Sequence, residues 1–222
     1  MNIFSITQHL VSQGIPEETL VLLLMLPIVA TIIVFARQVI GIKGFGIYTP
    51  TLIAFSFLVT GLKYGLILFA IILLVGTLTR LVVKKFRLLY LPRMAIILTV
   101  ASIAVLASLY LNQYFSLTQF SLSSVFVVLI MIALTEKFIA VQIERGGRSA
   151  GILTSETIIL SVISYWVISW SSLENLILSY PLLIIAGCIG LNILLGKWTG
   201  LRLNEYFRFR EVIKHVELPG KK

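Results

Sequence analysis

Few side chains in this sequence are able to do chemistry, and their spacing keeps them apart. His9 and His215 stand near opposite ends of the chain, Cys188 is the one cysteine, and all nine acidic residues are Glu, with Asp absent. A serine nucleophile needs a base within hydrogen-bond reach. An aspartyl dyad needs paired Asp, and a metal needs clustered His, Cys, Asp or Glu. None of these can be assembled here. Glu17 and Glu18 precede an apolar stretch and mark a helix start rather than a metal site. No Gly-rich phosphate loop with its lysine occurs. Catalysis by this chain alone is therefore not expected, and neither is a metal or any other cofactor. Nucleic acid is not an expected partner, and a lone cysteine forms no intramolecular disulfide.

The weight of function falls on polar groups set among apolar ones. Glu156, within Leu153-Thr154-Ser155-Glu156-Thr157, lies about two turns into an apolar segment. A carboxylate there is costly unless it finds a cation or donors. Arg80 and Arg93 lie at comparable depth, so a helix-locking ion pair and a substrate or proton site are both open readings. Gly41-Ile42-Lys43-Gly44-Phe45-Gly46-Ile47-Tyr48-Thr49-Pro50 is the densest run of backbone-breaking residues. Its freed N–H groups, beside Lys43 and Arg37, could face an anion; a tight turn leading into a kinked helix is the alternative. Glu136-Lys137 and Glu144-Arg145 read as solvated interfacial pairs, with Arg148 just beyond. Asn192 reads as a polar link between helices.

These groups must be positioned by membrane-spanning helices. The chain has 222 residues, of which 59% are hydrophobic and 12% charged, and its mean hydropathy is +1.04. A soluble domain of this size has too much surface for that composition. A helix needs roughly 20 mostly apolar residues to cross the bilayer, and seven segments qualify: 19–36, 43–61, 64–83, 93–112, 119–136, 150–171 and 176–195. The second, with its glycines and Pro50, is read as broken or re-entrant. Seventeen of the eighteen Lys and Arg residues fall in loops on one side or in the tail, opposite Lys63 alone. The positive-inside rule then puts the amino terminus outside and the carboxyl terminus in the cytoplasm. The expected fold is an all-α polytopic integral membrane protein of about seven helices. Residues 1–18 form a short outer segment, 19–196 the seven-helix domain and 197–222 a basic tail. In the tail, Tyr206, Phe209, Ile213 and Val216 recur at helical spacing among Arg208, Arg210 and Lys214, as in an amphipathic helix on an anionic inner leaflet. Stretches 47–75 and 125–162 share a rhythm, with Gly65 and Gly151 in matching places, as in an inverted repeat.

Several motifs together resemble one bacterial family. They are Gly14-Ile15-Pro16, Ala36-Arg37-Gln38-Val39-Ile40-Gly41, Phe45-Gly46-Ile47-Tyr48-Thr49-Pro50, Leu88-Leu89-Tyr90-Leu91-Pro92-Arg93, Glu136-Lys137-Phe138, Gln142-Ile143-Glu144-Arg145-Gly146 and Gly196-Lys197-Trp198-Thr199-Gly200-Leu201-Arg202-Leu203. The family is the seven-helix domain usually fused behind an inactive transglutaminase-like domain. The likeness spans residues 14–210 and implies that Lys197, Trp198 and Arg202 belong to a structural motif with Gly41, Gly44 and Gly46. In the family the extra domain precedes the first helix outside the inner membrane. Here about 18 residues do so, as in a stand-alone or a truncated version. A fainter likeness, over residues 41–164, is to the small membrane subunit of poly-γ-glutamate capsule synthases.

The resemblances imply a non-catalytic scaffold or conduit in a bacterial inner membrane, serving a cytoplasmic ATP-grasp-type glutamate ligase in glutamyl-peptide synthesis or export. Arg37, Lys43, Tyr48, Thr49, Pro50, Arg80, Arg93, Glu144, Arg145, Arg148 and Glu156 are the candidate contacts with substrate or partner. Further partners are anionic inner-leaflet lipids, a periplasmic domain or subunit, and a second copy of the chain. Two other readings stay open: a carrier, proton-coupled through Glu156, and a signalling membrane domain.

Overall fold

A computed structural model describes residues 12–14, 16–86, 88–115 and 122–197. Every element among the described residues is helical. They are α1 (Glu17–Phe35), α2 (Tyr48–Thr60), α3 (Leu62–Val83), α4 (Tyr90–Phe115), α5 (Leu122–Arg145), α6 (Gly147–Ile168), α7 (Ser171–Ser179) and α8 (Pro181–Gly196). Among the described residues, four spans are long and apolar enough to cross a membrane as they stand: Glu17–Ile40, Leu62–Phe86, Tyr90–Ser108 and Gly147–Ile168. The protein is an all-α, multi-pass membrane protein. Its outer surface says the same: Leu74 is 60% exposed, Leu183 66% and Trp166 70%, an arrangement that water would penalise and lipid does not.

Two of the seven expected segments differ from simple rods. The second, expected over 43–61, begins only at Tyr48 and has 13 residues, a rise of about 20 Å against the ~30 Å hydrocarbon core. Ahead of it, Gly41, Gly44 and Gly46 hold φ of 94°, 41° and 71°, the left-handed region that stops a helix. The seventh, expected as a continuous helix over 176–195, is broken at Tyr180 between α7 and α8, which meet at 103°. Pro181 is the cause. It has no N–H to continue α7 and it keeps Tyr180 out of the helical region, at φ −133° and ψ 56°, while its fixed φ suits the first residue of α8.

The described helices form two compact units. The first holds the residues up to Ile47 and those from Trp166 onward, and the second runs from Tyr48 to Tyr165. In the first unit α1 packs on α8 and α7. Asn192 of α8 donates through Nδ2 to Thr31 Oγ1 of α1 and to the Cys188 carbonyl, both at 2.8 Å. The Thr31 hydroxyl donates onward to the Pro27 carbonyl at 2.7 Å. The helix–helix link expected of Asn192 is thus formed, and its polar hydrogens are satisfied away from lipid.

In the second unit α3 packs on α2, α4 and α5, and α5 also packs on α2 and α4. Ile53 and Phe57 of α2, Leu68, Phe69 and Ile72 of α3, Ala101 and Val105 of α4 and Met131 of α5 form the core. Ile158, Val162 and Tyr165 bring α6 onto it. Of the buried hydroxyls, those of Ser56, Thr135, Thr154 and Ser161 each donate to the carbonyl four residues back, whereas Ser164 Oγ has no partner among the described residues. Single glycines at positive φ, Gly61 and Gly146, join α2 to α3 and α5 to α6. The two pairs are not otherwise alike. Gly65 sits where an added Cβ would lie 2.5 Å from Phe57 Cδ1, whereas Gly151 faces open space, so the glycines matched in the supposed repeat have different work.

Candidate functional site

Helix direction alternates along the second unit, so one end gathers the starts of α2, α4 and α6 and the ends of α3 and α5. The loop rule makes this the cytoplasmic end. Its ionisable residues divide by exposure. Lys84, Lys85, Glu144, Arg145 and Arg148 are exposed, four cations around one carboxylate. Arg80 and Arg93 are half-buried.

Arg80, in the last turn of α3, reaches across to α5, where its Nη2 donates to the Gln142 carbonyl at 3.1 Å. That carbonyl lies in the final turn of α5, where the helix supplies no N–H of its own. Arg93, in the first turn of α4, folds back, and its Nη2 donates to the Leu88 carbonyl at 2.8 Å. Arg80 and Arg93 stand near the adjoining ends of α3 and α4, which pack on one another. Arg93 Nε and Gln142 Oε1 are both buried there without a hydrogen-bond partner among the described residues. Beneath lies a small apolar floor of Met94, Ile97 and Ile139, edged by Phe138 and Ile143. Gly76 lets α3 press against this floor: a Cβ there would come 3.1 Å from Thr135 and 3.2 Å from Ile139.

Glu156 lies deeper along its helix than these arginines, which each hydrogen-bond a main-chain carbonyl. Glu156 lies about 14 Å along α6 from its start, whereas Arg80 and Arg93 lie about 5 Å from their helix ends. Glu156 is half-buried and has an interaction of its own.

The start of α2 is the second notable place. Thr49 and Pro50 are buried and Tyr48 is 78% exposed. Lys137 of α5, expected to pair with Glu136, reaches Thr49 Oγ1 with its Nζ at 3.4 Å. Lys137 sits about 12 Å before the end of α5. The lengths of α2 and α3, joined at Gly61, independently place Tyr48 about 13 Å short of the α3 terminus. The chain therefore enters α2 at membrane depth, where broken backbone is tolerated only under a cover of protein or water.

In the first unit, the five-residue π-helical turn Ala36–Ile40 carries Arg37, half-buried, and closes with the Gly41 N–H on the Ala36 carbonyl at 3.0 Å. Lys43 is exposed and has an interaction of its own. Lys197 is exposed at the end of α8, while Trp198, Arg202 and the expected tail helix lie outside the described residues. Sequence reasoning missed Gln142, quoted only as part of a motif; its place in the last turn of α5 was the available signal.

The arrangement is suited to holding or attracting negative charge. Among the described residues, no group of three or more His, Cys, Asp or Glu is placed to hold a metal. The chain matches no curated protein and no solved structure. A family model described as seven transmembrane helices usually fused to an inactive transglutaminase matches residues 2–213, nearly the whole sequence, and the protein belongs to that family.

Proposed function

We propose that the protein is a non-catalytic membrane subunit, a scaffold or conduit, in the cytoplasmic membrane of a bacterium. It works with a cytoplasmic ATP-grasp-type ligase that makes a glutamyl peptide akin to poly-γ-glutamate. The observation that carries this reading is the exposed cationic rim Lys84, Lys85, Arg145 and Arg148 at one end of a helical unit. Such a rim draws in a polyglutamyl product or an acidic protein surface and speeds its arrival. The half-length α2 supports the conduit form of the reading, because it leaves non-helical backbone at membrane depth.

The test is capture from the native membrane. The wild-type chain should retain the ligase on purification, and the variant K84Q/K85Q/R145Q/R148Q should lose it at moderate salt. All four side chains are exposed, so their loss changes stability little. Undiminished capture together with undiminished glutamyl product would exclude the reading. The carrier is the second reading, favoured by the half-buried carboxylate of Glu156 in α6. It requires Glu156→Gln to abolish uptake in proteoliposomes while leaving the protein folded.

A further inference from the structure

The corner formed by Arg80, Arg93 and Gln142 is different in kind from the exposed rim. A rim of mobile, hydrated cations suits a broad acidic partner. Two half-buried guanidinium groups on neighbouring, packed helices, each anchored on a main-chain carbonyl, suit a compact anion. Each guanidinium spends an Nη2 hydrogen on a main-chain carbonyl, which fixes its position. A guanidinium has five donors, so each keeps several for another acceptor. One of these, Arg93 Nε, is buried without a partner, and a buried donor left unmade is costly. The Gln142 side-chain amide is also unpartnered at its oxygen. Rotation by half a turn would exchange that oxygen for the NH₂ group.

We propose that Arg80 and Arg93 bind a phosphate group where α3, α4 and α5 meet at the cytoplasmic end of the second unit. Planar guanidinium groups match phosphate oxygens in pairs, and two of them would bring about two positive charges to a dianion. The place suits the headgroup of an anionic phospholipid, since basic recesses between spanning helices on the inner side take such headgroups. A phosphorylated solute from the cytoplasm carries the same chemistry. The site is independent of the ligase reading and is tested on the purified chain alone.

The full-length protein is purified in detergent with phosphatidylcholine and its thermal unfolding followed by tryptophan fluorescence. Phosphatidylglycerol is titrated in one arm and inorganic phosphate, at ionic strength matched with chloride, in the other. At least one should raise the Tm saturably. A shift with phosphatidylglycerol alone identifies a lipid headgroup, and a shift with phosphate identifies a soluble phosphate. Arg80→Gln combined with Arg93→Gln should abolish the shift. Arg93→Lys keeps the charge and removes Nε, and it should weaken binding about tenfold. If the double variant does not fold, the lysine variant decides. The proposal is overturned if neither phosphate source moves the wild-type Tm beyond the chloride control, or if Arg93→Lys binds as tightly as wild type.

Discussion

Asn192 shows how a single polar side chain is made tolerable among lipid-facing helices. Its Nδ2 hydrogens go to Thr31 Oγ1 and the Cys188 carbonyl, and the Thr31 hydroxyl passes the chain on to Pro27. Links of this kind average about 0.6 kcal/mol in membranes, because the unfolded helices also find partners. Asn192→Leu should therefore lower stability by about 1 kcal/mol in a detergent unfolding titration. Thr31→Val should cost a similar amount, and the double variant should cost clearly less than the two together. Strict additivity would mean that the bond carries no energy. This link was legible from the amide in an apolar run. The setting of Arg80 and Arg93 was only half legible: their charge and depth can be read, but the rotation of α3 that turns Arg80 toward α5 and the fold-back of Arg93 onto Leu88 cannot. These helices are apolar around most of their circumference, so periodicity marks no unique inner face.

At the scale of elements, the close approach of α2 and α3 depends on Gly65. A Cβ there would lie 2.5 Å from Phe57 Cδ1 and 2.7 Å from Thr60 Oγ1, and Phe57 is fully buried. The ring has no room to retreat, so Gly65→Ala should destabilise by about 1–3 kcal/mol. Gly76→Ala meets Thr135 and Ile139 at 3.1 and 3.2 Å, a shortfall of a few tenths of an ångström. Alanine gains about 1 kcal/mol of helix propensity over glycine there, so this variant should stay within about 1 kcal/mol of wild type. Detergent unfolding of the two variants side by side checks the order, and a milder effect at Gly65 would refute the packing account. The break before α2 could be read from three glycines and Pro50, which speak through backbone geometry alone. The break at Tyr180 was signalled by Pro181 but hidden inside a continuous apolar run, because hydropathy records affinity for lipid and not the direction of the chain.

Over the whole molecule, two opposed gradients define the architecture. Large apolar side chains cover the outside of the helices, while buried Ser56, Thr135 and Ser161 are turned inward and bonded to their own backbone. Along the sequence, seventeen of the eighteen Lys and Arg residues fall in the segments expected on one side of the membrane. An orientation with those cations outside would oppose the insertion bias of every basic loop at once. Lys63, at the start of α3, and Arg145, at the end of α5, mark opposite ends of the second unit, and both are exposed. With Cys188 replaced by Ala, Lys63→Cys should react with a membrane-impermeant maleimide in intact spheroplasts. Arg145→Cys should react only after the membrane is opened. Lys63 and Arg145 are exposed and Cys188→Ala removes only a small buried side chain, so both proteins should accumulate. The reverse pattern would place the cationic rim outside, where no cytoplasmic ligase could reach it, and would remove the physical basis of the proposed partnership.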